Sequence, residues 1–286
     1  MQVGAHVSVS GGYDKALQYA ESVGAECIQF FAKSPRQWRG RSIDPQLAEA
    51  FVLDRERRGF GPVFTHTAYL INLGATDPEL REKSIAALAD ELVRGALLEV
   101  DGTVTHVGND PGGDPVAAAA RIGTGVRQAF ERAGDAGSRA RLLLENAAGA
   151  GRTFGVDFAE LGACIDAAGL PVERLGVCLD TCHAFASGMA LDTAEGWTAV
   201  IDEIGRRCML ERLGLVHAND CMFERGSRRD RHAWIGDGFI GATGFSAMMC
   251  SRELRDVPAC LEMPGEVPEK DALNIERLKS LRESCG

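Results

Sequence analysis

Short apolar, β-branched runs alternate with longer amphipathic ones along the chain. The short runs predict strands at 3–9, 27–32, 62–67, 103–107, 141–145, 175–180, 213–217 and 258–262. The longer runs predict helices at 14–23, 45–58, 78–99, 115–133, 157–168, 193–208, 244–254 and 269–281. Pro45, Pro78 and Pro115 stand at predicted helix starts, where the missing N–H would have no partner anyway. Strict alternation of strand and helix implies a parallel sheet. Eight such units are the number that closes a (β/α)8 TIM barrel. The competing architecture, an open doubly wound sheet, needs a phosphate-binding glycine loop after an early strand. The GAGRTFG segment after the fifth predicted strand lacks that pattern.

At 286 residues the chain fits one α/β barrel domain spanning 1–286, since such barrels run to about 250 residues as a single unit. Apolar residues make up 45%, enough for its core. No apolar run approaches the roughly 20 residues of a membrane helix. The start, MQVGAHVSVS, lacks the basic-then-apolar order of a signal peptide. A bacterial cytoplasmic protein is expected. Nine scattered cysteines without a C-x-x-C pair argue against a disulfide framework and against a thiolate zinc site. Cys178 and Cys182, which flank Asp180, read as buried reduced thiols. The net charge of −10 counts against a nucleic-acid binder, whose footprint is usually basic. Affinity, however, follows the local field rather than the global sum.

The predicted strands read LLLEN, GVCLD, GLVH and ACLE, each apolar until a polar residue at its C-terminal end. In a barrel of this kind the site is built there and on the following loops. Five of the six histidines and four carboxylates occupy such places: His66, His106, Glu145, Asp180, His183, His217, Asp230, His232 and, in CLEMPG, Glu262. Asp230 and His232, two apart in extended chain, project to the same side. Imidazole with carboxylate and no thiolate suits zinc or another divalent ion, and nine ligands suit two or three ions rather than one. Any one of the nine alone is more simply a hydrogen-bonded histidine or a cap. Together they would have to gather at one rim by accident, and four unpaired carboxylates there would repel one another.

At these residues the chain resembles the endonuclease IV family of apurinic/apyrimidinic (AP) endonucleases. GAHVS near the start, YLINLG at 69–74, ENAAGAG at 145–151, GVCLDTCHAFASG at 176–188 and HAND at 217–220 carry the likeness, with GSRRDRH and IGDGFIG within 226–241. The DTCH and GSRRDRH pieces are the most distinctive. The resemblance implies a barrel holding three zinc ions, with manganese as a substitute. One ion would sit on His66, His106 and Glu145. A second would sit on Glu145, Asp180, His217 and Glu262, and a third on His183, Asp230 and His232.

The implied reaction is hydrolysis of the phosphodiester 5′ to an abasic site, giving a 3′-hydroxyl and a 5′-deoxyribose phosphate. Cleaning of damaged 3′ ends is implied as a side activity. Glu145 and Glu262 are the implied catalytic carboxylates. The implied partner is double-stranded DNA with abasic sites or blocked 3′ ends, bound by a monomer. Arg36 and Gln37 of AKSPRQWRG, with Tyr69 and Leu70, would enter the duplex. Apolar wedges unstack bases, and an abasic nucleotide has no stacking to lose. Lys33, Arg36 and Arg39 would add local positive charge. The chain departs from the family pattern at Val107, where a proline is usual. It also departs at Ala68, Ala147, Met222 and Met263, where small polar or basic residues are common. His6 has no implied metal and reads as a supporting or structural residue.

Two other readings compete. A metal-dependent sugar isomerase or epimerase on the same barrel type explains Glu145, Asp180, His217 and Glu262. It leaves His183 and the Asp230–His232 pair unused. A catalytically silent DNA-damage-binding protein would be marked by a lost ligand, and none is lost.

Overall fold

Helices begin where the sequence puts a side-chain acceptor ahead of them. In the computed structural model, which describes residues 1–263 and 267–285, Asp44, Asp77 and Asp114 accept hydrogen bonds from first-turn amides and are each followed by proline. Asp157 and Thr193 cap two later helices in the same way. These caps satisfy N–H groups that the helix itself cannot pair. The helices are α1 (Tyr13–Ser22), α2 (Pro45–Arg58), α3 (Pro78–Leu97), α4 (Pro115–Ala133), α5 (Phe158–Ala168), α6 (Thr181–Ser187), α7 (Ala194–Cys208), α8 (Gly241–Cys250) and α9 (Pro268–Glu283). The strands are β1 (Val3–His6), β2 (Ile28–Phe31), β3 (Val63–His66), β4 (Gly102–His106), β5 (Leu142–Glu145), β6 (Leu175–Asp180), β7 (Leu213–His217), β8 (Asp220–Cys221), β9 (His232–Ala233) and β10 (Ala259–Leu261).

The predicted barrel is present. Eight parallel strands close in the order β1-β10-β7-β6-β5-β4-β3-β2, and β1 pairs with both β10 and β2. Phe64, Val104, Leu143, Cys178, Leu215 and Cys260 fill the barrel interior as one apolar plug. A larger apolar layer lies between strands and helices. The register sets the rim: His106 pairs with Glu145, and Asp180 with His217.

Three elements were not expected from the sequence pattern. Helix α6 follows β6 without a gap, and β8 with β9 forms a separate antiparallel pair, Asp220 opposite Ala233 and Cys221 opposite His232. The helix expected at 244–254 lies instead at Gly241–Cys250. Its glycines allow close packing. A Cβ on Gly244 would come 2.2 Å from the Leu191 carbonyl oxygen. Pro264 and Gly265 of CLEMPG lie outside the described residues.

Cys250, at the end of α8, and Cys285, behind α9, form a disulfide across 35 residues of sequence. The sequence argued against a disulfide framework and did not reveal this pair, because it is adjacent helices that bring the two ends together. Cys178 and Cys182 are buried and free, as are the other unpaired cysteines. Among the described residues, no helix is long and apolar enough to cross a membrane.

Candidate metal centre

Closure of the barrel brings the polar strand ends to one rim. His66, His106, Glu145, Asp180 and His217 are the last residues of β3, β4, β5, β6 and β7, and Glu262 directly follows β10. Asp180 also caps α6, its Oδ1 accepting the His183 amide at 2.7 Å. That cap turns His183 back over the mouth. The β8–β9 pair returns the chain so that Asp230 and His232 reach the same rim. All nine predicted metal-ligating residues are therefore brought together.

Glu145 lies at the middle, with its side chain 1% exposed. Its Oε1 is 3.0 Å from His217 Nδ1 and 3.4 Å from His183 Nδ1. Its Oε2 is 3.1 Å from His66 Nε2 and 3.4 Å from His106 Nδ1. Glu262 Oε2 is 3.2 Å from His217 Nδ1. Asp230 lies 3.3 Å from both His183 Nε2 and His232 Nε2.

Donor atoms within 4.8 Å of one another form the groups His66–His106–Glu145, Glu145–Asp180–His217–Glu262 and Asp180–His183–His232. The first two coincide with sets the resemblance implies. Asp230 joins the third through its two 3.3 Å contacts. Cys182 also comes within that radius of Asp230 and His232, but its thiol donates to the Arg231 carbonyl.

The imidazoles are oriented from behind. His66 Nδ1 donates to the Thr67 carbonyl at 2.9 Å, His183 Nδ1 to that of Asn146 at 3.0 Å, and His232 Nδ1 to that of Glu262 at 2.7 Å. His217 instead donates from Nε2 to Gln29 Oε1 at 2.9 Å. A carbonyl oxygen only accepts, so each of these nitrogens carries a proton. In the neutral ring the opposite nitrogen then holds a lone pair. Those lone pairs face carboxylates, which is repulsive unless a proton or a cation lies between them. The buried His232 Nε2 makes no hydrogen bond among the described residues. Fixing the far N–H of an imidazole on an oxygen is how proteins orient metal-binding histidines. The donor set fits divalent cations.

The charges agree with that reading. Burial pushes the Glu145 carboxyl up, but the charges of His106 and His217 and the hydrogen bonds from His183 and His217 hold it well below the usual carboxylate range. Burial and the charge of Glu145 push Glu262 up, and the positive charges of His217, His66 and His6 together outweigh them, leaving the carboxyl at about 2. Burial pushes His232 down, while the Asp230 carboxylate 3.3 Å from its Nε2 and the charge of Asp180 bring it up to about 9. The rim thus concentrates negative charge that positive charge must meet.

Sequence reasoning missed the supports. Gln29 bonds His217 through Oε1, and its Nε2 donates to Glu262 Oε1 at 2.7 Å. The same Nε2 lies 3.1 Å from His6 Nδ1, which places His6 behind Glu262. Asn219 donates to Asp180 Oδ2 at 2.7 Å and accepts the Glu262 amide at 2.8 Å. Asn146 receives the Asp180 amide at 2.7 Å and donates to the Asp180 carbonyl. The signal for Gln29 was present: it is a lone amide inside the apolar strand segment CIQFFA.

Of the four predicted DNA-contact residues, Arg36 and Tyr69 line the same cavity of about 620 Å³ as the centre. Gln37 and Leu70 are their chain neighbours, Gln37 exposed and Leu70 half-buried. Tyr69 is 61% exposed, its ring resting near Phe31 and His66. Lys33 is a correction. Its side chain is only 2% exposed and points away from solvent toward Asp90 and Glu91 on α3, so it adds no free surface charge. Among the departures from the family pattern, Ala68, Val107 and Ala147 are buried in the wall, Met222 is exposed and Met263 lines the cavity.

The model of the family described as "Xylose isomerase-like TIM barrel" matches residues 17–284. The "Probable endonuclease 4" of Chloroflexus aurantiacus is 41% identical over 280 residues, covering 97% of each chain. That of Methanoculleus marisnigri is 41% identical over 279 residues, covering 98% of each. The solved structure of endonuclease IV from Thermus thermophilus matches with a TM-score of 0.87 at 39% identity, covering 99% of each chain. A D-tagatose 3-epimerase-like protein matches with a TM-score of 0.74 at 16% identity, over 100% of this chain and 98% of that one. That second likeness is one of fold.

Proposed function

The chain belongs to the endonuclease IV family, and from that premise we propose that it hydrolyses the phosphodiester 5′ to abasic sites in double-stranded DNA. The products are a 3′-hydroxyl and a 5′-deoxyribose phosphate, and the same site trims blocked 3′ ends. The observation that carries the reading is the rim itself: nine acids and imidazoles, four of the imidazoles pinned from behind with their free nitrogens turned inward.

Three zinc ions, or manganese in their place, would be held as the resemblance implies. His66, His106 and Glu145 would take one. Glu145, Asp180, His217 and Glu262 would take the second, and His183, Asp230 and His232 the third. Bound zinc supplies Lewis-acid charge for the phosphate and lowers the pKa of water toward about 7.

The chain's own groups do the rest. Glu145 sits between two ligand sets and fixes their separation. Glu262 is held ionised and is 19% exposed beside the cavity, placed to accept the proton of the attacking water. Water adds to phosphorus, the P–O3′ bond breaks, and the 3′ oxygen leaves with the bonding pair and takes up a proton. Arg36 and Gln37 enter the duplex from the loop after β2, Arg36 from the cavity wall. Tyr69 and Leu70 enter the stack where the missing base leaves room. The protein works as one barrel domain and as a monomer in the bacterial cytoplasm.

The test is a defined abasic duplex, with and without a chelator. We expect nicking without added magnesium, and its loss when the chelator strips the protein. Metal-loaded protein that leaves this duplex uncut but interconverts sugars would replace the reading with the isomerase. That alternative has no use for the Asp230–His232 pair.

A further inference from the structure

The loops at 33–41 and 67–76, which the functional reading assigns to the duplex, stand on one ionic footing in which Lys33 and Glu91 are buried and Asp90 is part-exposed. Lys33 turns its ammonium inward, 2.8 Å from Asp90 Oδ2 and 3.4 Å from Glu91 Oε1, and donates to the Trp38 carbonyl at 3.4 Å. Glu91 is 1% exposed, and the same Oε1 accepts the Ala68 amide at 3.3 Å. One turn along α3, Arg94 donates to Asp90 Oδ2 at 2.9 Å. Helix α3 therefore holds the first loop through Lys33 and the second through Ala68.

The loops also meet directly, the Tyr69 amide donating to the Pro35 carbonyl at 3.1 Å. Gly40 lets the first loop lie flat on this footing. A Cβ there would come 2.7 Å from Lys33 Cβ and 3.2 Å from the Arg94 guanidinium. Arg36 and Tyr69, which line the cavity, project from the loops so held.

Stability alone does not account for the arrangement. A buried ion pair is often no better than apolar packing of the same volume. This one is also incompletely satisfied, since Glu91 Oε2 makes no hydrogen bond among the described residues. What a buried pair does supply is a fixed geometry between the groups it joins.

We propose that Lys33 and Glu91 are positioning residues that lock the two loops at one separation, so that Arg36 and Tyr69 meet a damaged duplex as a preset pair. The proposal rests on the functional reading only for the identity of what the loops grip.

The test uses full-length, metal-loaded protein and the variants Lys33→Met, Glu91→Gln and the double variant. Hydrogen exchange is read in both loops, where the Gln37 and Tyr69 amides are bonded. Loosening of a shared anchor speeds exchange in both loops together, by about tenfold or more. In the single variants KM for an abasic duplex rises about tenfold while kcat stays within about twofold, because the grip and not the chemistry is misplaced. The double variant is no worse than Lys33→Met, as expected for residues acting as a unit. Should Lys33→Met fail to fold, Glu91→Gln, which keeps the side-chain shape, carries the same readouts. An exchange response confined to one loop, additive effects in the double variant, or a fall in kcat at unchanged KM overturns the anchor. A wild-type chain that leaves abasic DNA uncut overturns the functional reading alone.

Discussion

His232 Nδ1 donates to the main-chain carbonyl of Glu262 at 2.7 Å, so one proposed ligand is aimed by the backbone of another. The contact ties the β8–β9 pair to the end of β10. It leaves His232 Nε2 facing Asp230 at 3.3 Å. Replacing His232 with alanine removes a ligand from the third set and leaves the other two sets whole. Metal analysis of the purified variant should fall from about three zinc ions per chain to about two. Retention of the full complement would show that His232 binds none.

Glu145 is shared by two ligand sets, so its loss should be felt twice. The Glu145→Ala variant should lose more activity than the about 10–100-fold that loss of an outer supporting group costs. Far-ultraviolet circular dichroism should stay close to wild type, since β5 is held by the apolar residues before Glu145. Near-normal turnover would refute the bridging role.

Gln29 touches no ion in the proposed arrangement, yet it orients both His217 and Glu262. Gln29→Leu keeps most of the volume and removes both hydrogen bonds. Zinc affinity, measured by competition with a chromogenic chelator, should drop by about 10–100-fold. An unchanged affinity would mean that packing alone orients the imidazole.

Phosphate contacts make binding fall with salt, by a slope of about −0.9 per neutralised phosphate. Met222 is exposed at 54% where the family pattern carries a basic residue. Met222→Lys should steepen the salt dependence of KM by about one in that slope and tighten binding at low salt. Parallel salt curves for the two proteins would place Met222 off the duplex.

The barrel was legible because short apolar runs alternate with longer amphipathic ones, four of the short runs stay apolar up to a polar residue at or just after the strand end, and several helices open on a capping aspartate and a proline. The first strand was drawn too long, as 3–9 rather than Val3–His6, because Val7 and Val9 continue the alternation after pairing stops. Helix α6 was not legible: TCHAFAS is seven residues, buried for most of its length, with no polar face, and its cap Asp180 already read as a ligand. The β8–β9 strands are two residues each, too short to show a period. The proposed ligands were legible one by one at polar strand ends. Their grouping came from the resemblance, since sequence spacing does not encode which strands face each other across a barrel. Lys33 misled because a charge in a loop reads as solvated, while its partners Asp90 and Glu91 lie on another element. Cys250 and Cys285 misled for the same reason.

Closure of β1 on β10 has a consequence for synthesis. Chains emerge N-terminus first, so His66 through His217 leave the ribosome before the strand that completes the ring. Glu262 comes directly behind that strand. Until it docks, the rim lacks one acid and the carbonyl that aims His232. The ligand rim is therefore the last part of the barrel to be completed, and the proposed centre closes only when β10 docks beside β1.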